Sequence, residues 1–167
     1  MDHSFFLKQA LKQAMKAQSE GLNPIGCVIV DENGKIIARA HNEVDKRKDR
    51  TAHAEMLAIK KANRFIEGEN IRKWTLYTTM EPCLMCMGTI IMAHIGIVVW
   101  GTNDILIKAH TILNTNPYLR TRKLVTIACP DTELEKQCRT IHEEYWISRG
   151  RPDAIRPIIE EPEILNI

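Results

Sequence analysis

The residues of this chain best suited to chemistry are His53-Ala54-Glu55 and, further along, Pro82-Cys83-Leu84-Met85-Cys86. They offer one imidazole and two thiols, with a carboxylate close by but poorly placed to complete the ligand set. Three protein ligands on a tetrahedral zinc leave one corner for water, which marks a catalytic centre. Structural zinc sites usually close the shell with a fourth Cys or His. Cys83-x-x-Cys86 alone could be a redox pair of the thioredoxin kind, but the His-x-Glu upstream and the preceding proline argue against it. Glu55 alone could be an acid placed near a helix start, where the dipole favours negative charge. The full constellation outweighs that reading.

Both segments fall at predicted helix starts. Thr51 is expected to cap a helix running through Met56, Leu57, Ile59 and Lys60 to about Asn63, with His53 and Glu55 in its first turn. Thr75 to Thr79 alternates like a strand, and Pro82 opens a second helix, where its missing N–H costs nothing. Cys83 and Cys86 then share one face of the first turn. Free N–H groups and the dipole at such helix starts favour thiolates. Around these, Leu7, Ala10, Leu11, Ala14 and Met15 predict a helix from about Ser4 to Glu20, with Gly21 as its C-terminal cap. Cys27 to Val30 and Ile36 to Ala38 flank Asn33-Gly34, a hairpin signal. Asn42 to Arg50 reads as a loop, Ile97 to Trp100 and Leu124 to Ala128 as strands, and Asp131 to Arg149 as a last helix. The prolines after Gly150 predict an extended tail. Strands alternating with helices imply a sheet with helices on its faces.

With 167 residues, 44% hydrophobic and 26% charged, the chain has the size and composition of one globular domain. No apolar run approaches the roughly 18 residues needed to span a bilayer, and the N-terminus lacks signal-peptide character. The five cysteines are odd in number and two belong to the metal motif. A reducing cytoplasm is therefore expected, and no disulfide framework. The formal charge of +2 is too small to argue for nucleic acid. Cys27 reads as a small buried hydrophobe. His41, His94, His110 and His142 read as packed or surface histidines, with His110 the one to watch.

These motifs resemble the cytidine deaminase-like superfamily, in the branch of tRNA adenosine deaminases, guanine deaminases and fungal cytosine deaminase. The resemblance runs from Asn23-Pro24-Ile25-Gly26 through Trp100-Gly101. It is most specific in Thr51-Ala52-His53-Ala54-Glu55 and in Tyr77 through Cys86. It implies a three-layer α/β/α fold, a mixed five-stranded sheet flanked by helices, commonly assembled as a homodimer. Residues 1–150 would form the zinc deaminase domain, and 151–167 a tail packing over the active site. It further implies one Zn2+ per chain on His53, Cys83 and Cys86, with Glu55 as proton shuttle. Asn42, the Ala54 N–H and the Glu81 carbonyl would hold the substrate, and Asp104 would contact sugar or backbone.

The substrate is less constrained. Ile105-Leu106-Ile107-Lys108-Ala109-His110 is bulky, and the tail carries Glu160, Glu161 and Glu163, which count against docking an anticodon loop. A free nucleobase or nucleoside of cytosine or guanine type is thus expected, with tRNA adenosine-to-inosine deamination as the alternative. A non-catalytic zinc-stabilised binding module is a second alternative. The partner subunit of a heteromeric deaminase is disfavoured by the intact Glu55.

Overall fold

The computed structural model describes residues 1–66, 70–104 and 107–155. The first helix, α1 (His3–Ser19), starts where the Asp2 carboxylate accepts the Phe5 N–H at 2.9 Å, satisfying one of the free donors of a helix start. It buries Phe6, Leu7, Ala10, Ala14 and Ala17 on one face and ends at Gly21, whose φ of +71° lies in the left-handed region. Strands β1 (Gly26–Val30) and β2 (Ile36–His41) form the expected hairpin. The Asp31 side chain closes its turn by accepting from Asn33 N and Lys35 N, both at 2.9 Å.

Strands β3 (Thr75–Met80), β4 (Ile97–Thr102) and β5 (Val125–Ala128) complete a mixed sheet of order β2-β1-β3-β4-β5. Strand β1 is antiparallel to both neighbours, and β3, β4 and β5 run parallel. The two faces carry separate cores. On one, α1 and α6 (Thr132–Ser148) cover Val28, Val30, Tyr77 and Val99. On the other, α3 (Ala54–Ala62) and α4 (Leu84–Met92) cover Cys27, Ile29, Leu76, Val98 and Trp100. Strand alternation sorts the residues between the two layers, giving the expected α/β/α sandwich.

Several local expectations are corrected. Thr51 does not cap α3; its hydroxyl and N–H both bond the Asp49 carboxylate, closing a turn, and His53 takes the cap position in extended backbone. Pro82 precedes α4 instead of entering it, so Cys83 occupies that helix's cap position. The stretch read as a loop contains a short helix, α2 (Val44–Arg47), stopped by Lys48 at φ +52°. A 3-10 turn (Ala109–Asn114) and the short α5 (Pro117–Thr121) fill a stretch for which no element was predicted. The tail is not extended throughout: Pro152–Ala154 forms a 3-10 turn, and Asp153 pairs with Arg151 at 3.0 Å. Residues 156–167, with the acidic part of the tail, and Ile105 and Leu106 lie outside the described residues. Among the described residues no helix is long and apolar enough to cross a membrane.

Two features are open to direct test. A Cβ on Gly26 would lie 2.1 Å from the Ala10 carbonyl oxygen, because α1 packs directly onto the backbone of β1. Gly26→Ala should therefore cost about 3 kcal/mol in urea unfolding, as overpacking against a backbone that cannot yield does. On α6, His142 accepts the Trp146 indole N–H at 3.0 Å through Nε2. Burial pushes its pKa down from 6.5 to about 4, with the Asp104 charge opposing. The unfolded chain therefore takes up the proton first as pH falls. The contribution of neutral His142 is complete above pH 6.5 and is lost on descent toward about 4. His142→Gln should flatten the decline of unfolding free energy across that window, by about 3 kcal/mol at most.

Candidate active site

Helices α3 and α4 lie side by side with their N-termini at the same end of the sheet, which brings together three donors separated in sequence. His53 Nδ1 lies 3.6 Å from Cys83 Sγ and 3.5 Å from Cys86 Sγ. All three donor atoms fall within 4.8 Å of one another. A tetrahedral zinc with ordinary Zn–N and Zn–S bonds holds an imidazole nitrogen and a thiolate sulfur about 3.6 Å apart. The donor set fits that ion by size as well as by type. Among the described residues this is the one group of three or more His, Cys, Asp or Glu side chains close enough to hold a metal, and no carboxylate belongs to it.

Electrostatics separates the two thiols. A hydrogen bond from Cys86 holds the Cys83 thiol down at about 4, against burial and with help from the His53 ring. Cys86 is pushed upward, first by that bond to Cys83, then by burial and by the Glu55 charge. His53 is raised, chiefly by its hydrogen bond to Cys83. The proton Cys86 retains is the one a divalent cation displaces on binding.

Glu55 stands beside the donors without joining them. Its side chain is buried, with Oε2 3.6 Å from Cys86 Sγ, and the Thr78 hydroxyl donates to Oε1 at 3.2 Å. Burial raises its pKa above the usual carboxylate value, while its own backbone N–H and the Thr78 hydroxyl pull it back. Such a carboxyl is poised to accept and return a proton. Thr78 was missed by sequence reasoning. The signal was present in the alternation of β3, which puts Thr78 on the same face as Leu76 and hence under α3.

The other candidates fall near this end of the sheet and make structural contacts of their own. Asn42 is buried at the end of β2, and its side-chain oxygen accepts the Val44 N–H at 3.2 Å, so it also shapes the turn into α2. Ala54 is the first residue of α3 and fully buried. Glu81, expected to act through its carbonyl, has a buried carboxylate of structural consequence. It accepts the Asp104 N–H at 3.1 Å, the His110 N–H at 3.1 Å and the His110 ring nitrogen Nδ1 at 2.7 Å. The Asp104 carboxylate accepts the Ile107 N–H at 2.9 Å and so closes its own turn. His110 stacks on Trp100 at a centroid distance of 5.8 Å. The residue to watch is thus a fixed part of the wall beside the metal donors.

Comparison with known proteins agrees with this geometry. Residues 1–102 match the cytidine and deoxycytidylate deaminase zinc-binding region. A tRNA-specific adenosine deaminase of Aquifex aeolicus is 44% identical over 104 residues, covering 62% of this chain and 68% of that protein. A solved tRNA A34 deaminase, studied for A-to-I editing at the wobble position, superposes with a TM-score of 0.68 at 29% identity, covering 77% of this chain and 100% of that one. Guanine deaminase from Bacillus subtilis superposes with a TM-score of 0.58 at 35% identity, over 68% of this chain and 76% of that one. The chain spans about two thirds of the length of the curated bacterial relatives it matches. With more than half its length inside the matched region, the chain belongs to the cytidine and deoxycytidylate deaminase family of zinc-dependent hydrolytic deaminases acting on C–N bonds.

Proposed function

We propose that the chain hydrolyses the exocyclic amino group of a nucleobase, and that the base is adenosine presented in tRNA. The RNA half of this reading rests on one observation: the 44% identity to a relative named as a tRNA-specific adenosine deaminase. The sequence features that pointed away from RNA carry less weight than that similarity. Ile105, Leu106 and the acidic tail lie outside the described residues, and of the rest Ile107 is exposed while Ala109 is buried.

Zinc held by His53, Cys83 and Cys86 would supply the Lewis acid that makes water acidic enough to attack near neutral pH. The remaining work falls to the chain's own groups. Glu55 takes one proton from the attacking water and passes it to a ring nitrogen, then takes the second from the hydroxyl newly bonded to the ring carbon and delivers it to the departing amine. The ring carbon gains a C–O bond and loses its C–N bond, so adenosine and water become inosine and ammonia. Thr78 holds the Glu55 carboxylate in place. Asn42, the Ala54 N–H and the Glu81 carbonyl orient the base at the ends of β2, α3 and β3.

A second reading, a free-base deaminase of guanine or cytosine type, is favoured by the 35% identity to the Bacillus subtilis guanine deaminase. Ammonia release from zinc-loaded protein separates the two. The panel is an anticodon stem-loop RNA carrying adenosine, free guanine, cytosine and adenine, and their nucleosides. Turnover confined to the RNA supports the first reading; turnover of guanine or cytosine with an inert RNA replaces it by the second.

Two substitutions test the chemistry itself. Glu55→Gln should lower kcat by about 10²- to 10⁴-fold, the range of a lost general acid–base group, while zinc content and far-UV circular dichroism stay unchanged. A variant that keeps its turnover would remove Glu55 from the chemistry, and zinc-loaded wild-type protein that releases no ammonia from any substrate would leave only a zinc-stabilised binding module. Removing zinc with a chelator should abolish activity until about one equivalent per chain is restored, and Cys86→Ser should bind zinc at least about tenfold more weakly.

A further inference from the structure

Residues 107–126 follow the matched family region and build a second cavity of about 320 Å3 between the 3-10 turn, α5 and the edge strand β5. Leucine side chains contribute apolar lining. His110, Asn114, Arg120, Lys123 and Thr126 supply the polar groups. The turn that ends α5 sets the two cations together: the Lys123 N–H donates to the Arg120 carbonyl at 3.3 Å, with Lys123 held at φ +53°. A lysine pays strain in that left-handed region, where glycine or asparagine sits more easily.

Neither Arg120 nor Lys123 makes an ion pair among the described residues, and the two are set together on the cavity wall. Two uncommitted cations beside amide and hydroxyl groups and an aliphatic wall suit a ligand that joins a phosphate to a sugar or base. One residue of the cavity wall leads back toward the metal-binding segment. His110 lines the cavity and is fixed from behind by the buried Glu81, which immediately precedes Pro82-Cys83. A carboxylate only accepts, so Nδ1 carries the bonded proton and Nε2 is the free ring nitrogen. Strand β5 lies two places from β3 in the sheet, roughly 10 Å away at ordinary strand spacing.

We propose that this cavity is a phosphate subsite. Arg120 and Lys123 hold a phosphate covalently linked to the reacting nucleoside, and His110 is the wall shared between phosphate and base. The inference rests on the reading of the chain as a nucleobase deaminase. It adds a selection step made by residues outside the matched zinc-binding region. The phosphate is either a phosphodiester flanking the reacting base in RNA or the 5′-phosphate of a free nucleotide.

The test compares zinc-loaded wild-type chain with the double variant Arg120→Gln/Lys123→Gln. Three probes are used: an anticodon stem-loop RNA carrying adenosine, adenosine 5′-monophosphate, and adenosine. Equilibrium binding is measured against salt concentration, and turnover is measured separately by ammonia release. The double variant should bind the RNA at least about tenfold more weakly, and the slope of log K against log salt should shrink by about 1.4, for two lost phosphate contacts on a single strand. KM for a phosphate-bearing substrate should rise about tenfold with kcat changed less than about twofold, the pattern of lost uniform binding. Adenosine should be handled equally by both proteins. Loss with RNA alone assigns the phosphate to a flanking nucleotide; loss with the monophosphate as well assigns it to the nucleoside itself. Unchanged RNA and monophosphate affinity with an unchanged salt slope, or an equal loss with adenosine, would overturn the subsite. Wild-type protein that binds RNA through these residues yet releases no ammonia would instead overturn the assigned reaction and leave the subsite standing.

Discussion

Everything at the active end of this molecule depends on two helix N-termini being held against each other. An imidazole and two thiols within 4.8 Å form a crowded, partly buried cluster. One thiol gives up its proton easily and the other resists. The arrangement makes chemical sense as a cage for a divalent cation, which takes the place of the retained proton. Helix starts are suited to this because their N–H groups and dipoles favour the anionic sulfur. His53 and Cys83 both occupy cap positions in extended backbone, which aims their side chains back across the gap between α3 and α4.

The sheet serves as the ruler for that cage. Strand β3 delivers Thr78 to Glu55 on one face and, at its end, Glu81 to His110. The two acids flank the metal donors and have been put to different uses by their surroundings. Glu55 has one side-chain hydroxyl partner and a burial-raised pKa, so it can exchange a proton. Glu81 takes three hydrogen bonds and works as a clamp on the segment around Asp104 and His110. A fully engaged carboxylate makes a poor proton carrier and a good anchor.

The metal donors and the Arg120/Lys123 cavity lie in different parts of the chain. The matched zinc-binding region holds the metal donors and Glu55. The 3-10 turn, α5 and β5 stand outside it and line the cavity with Arg120 and Lys123. The two stretches meet at His110, which lines that cavity and is held by Glu81. Relatives with guanine and with tRNA adenosine in their names share this fold, so the fold alone does not select the substrate.

The metal ligands, Glu55 and the α/β/α layering were legible in the sequence because each rests on local pattern. His-x-Glu and Pro-Cys-x-x-Cys carry their spacing in the chain, and the period of apolar residues marked α1, β1, β3 and β4. The parts that were not legible depend on contacts distant in sequence. Thr78 became a partner of Glu55 only when α3 packed on β3. Glu81 became a clamp only when His110 folded back against it. The cap positions of His53 and Cys83 were each misjudged slightly, because Thr51 found a nearer partner in Asp49 and Pro82 was left outside its helix. Residues 107–126 carried no periodic signal strong enough to place α5, and the pairing of Arg120 with Lys123 arises from a left-handed turn that no local preference of lysine favours. The sequence by itself therefore determined which atoms can bind the ion and move the proton. Tertiary structure alone decided what surrounds them, since burial and hydrogen-bond partners exist only once distant segments are packed.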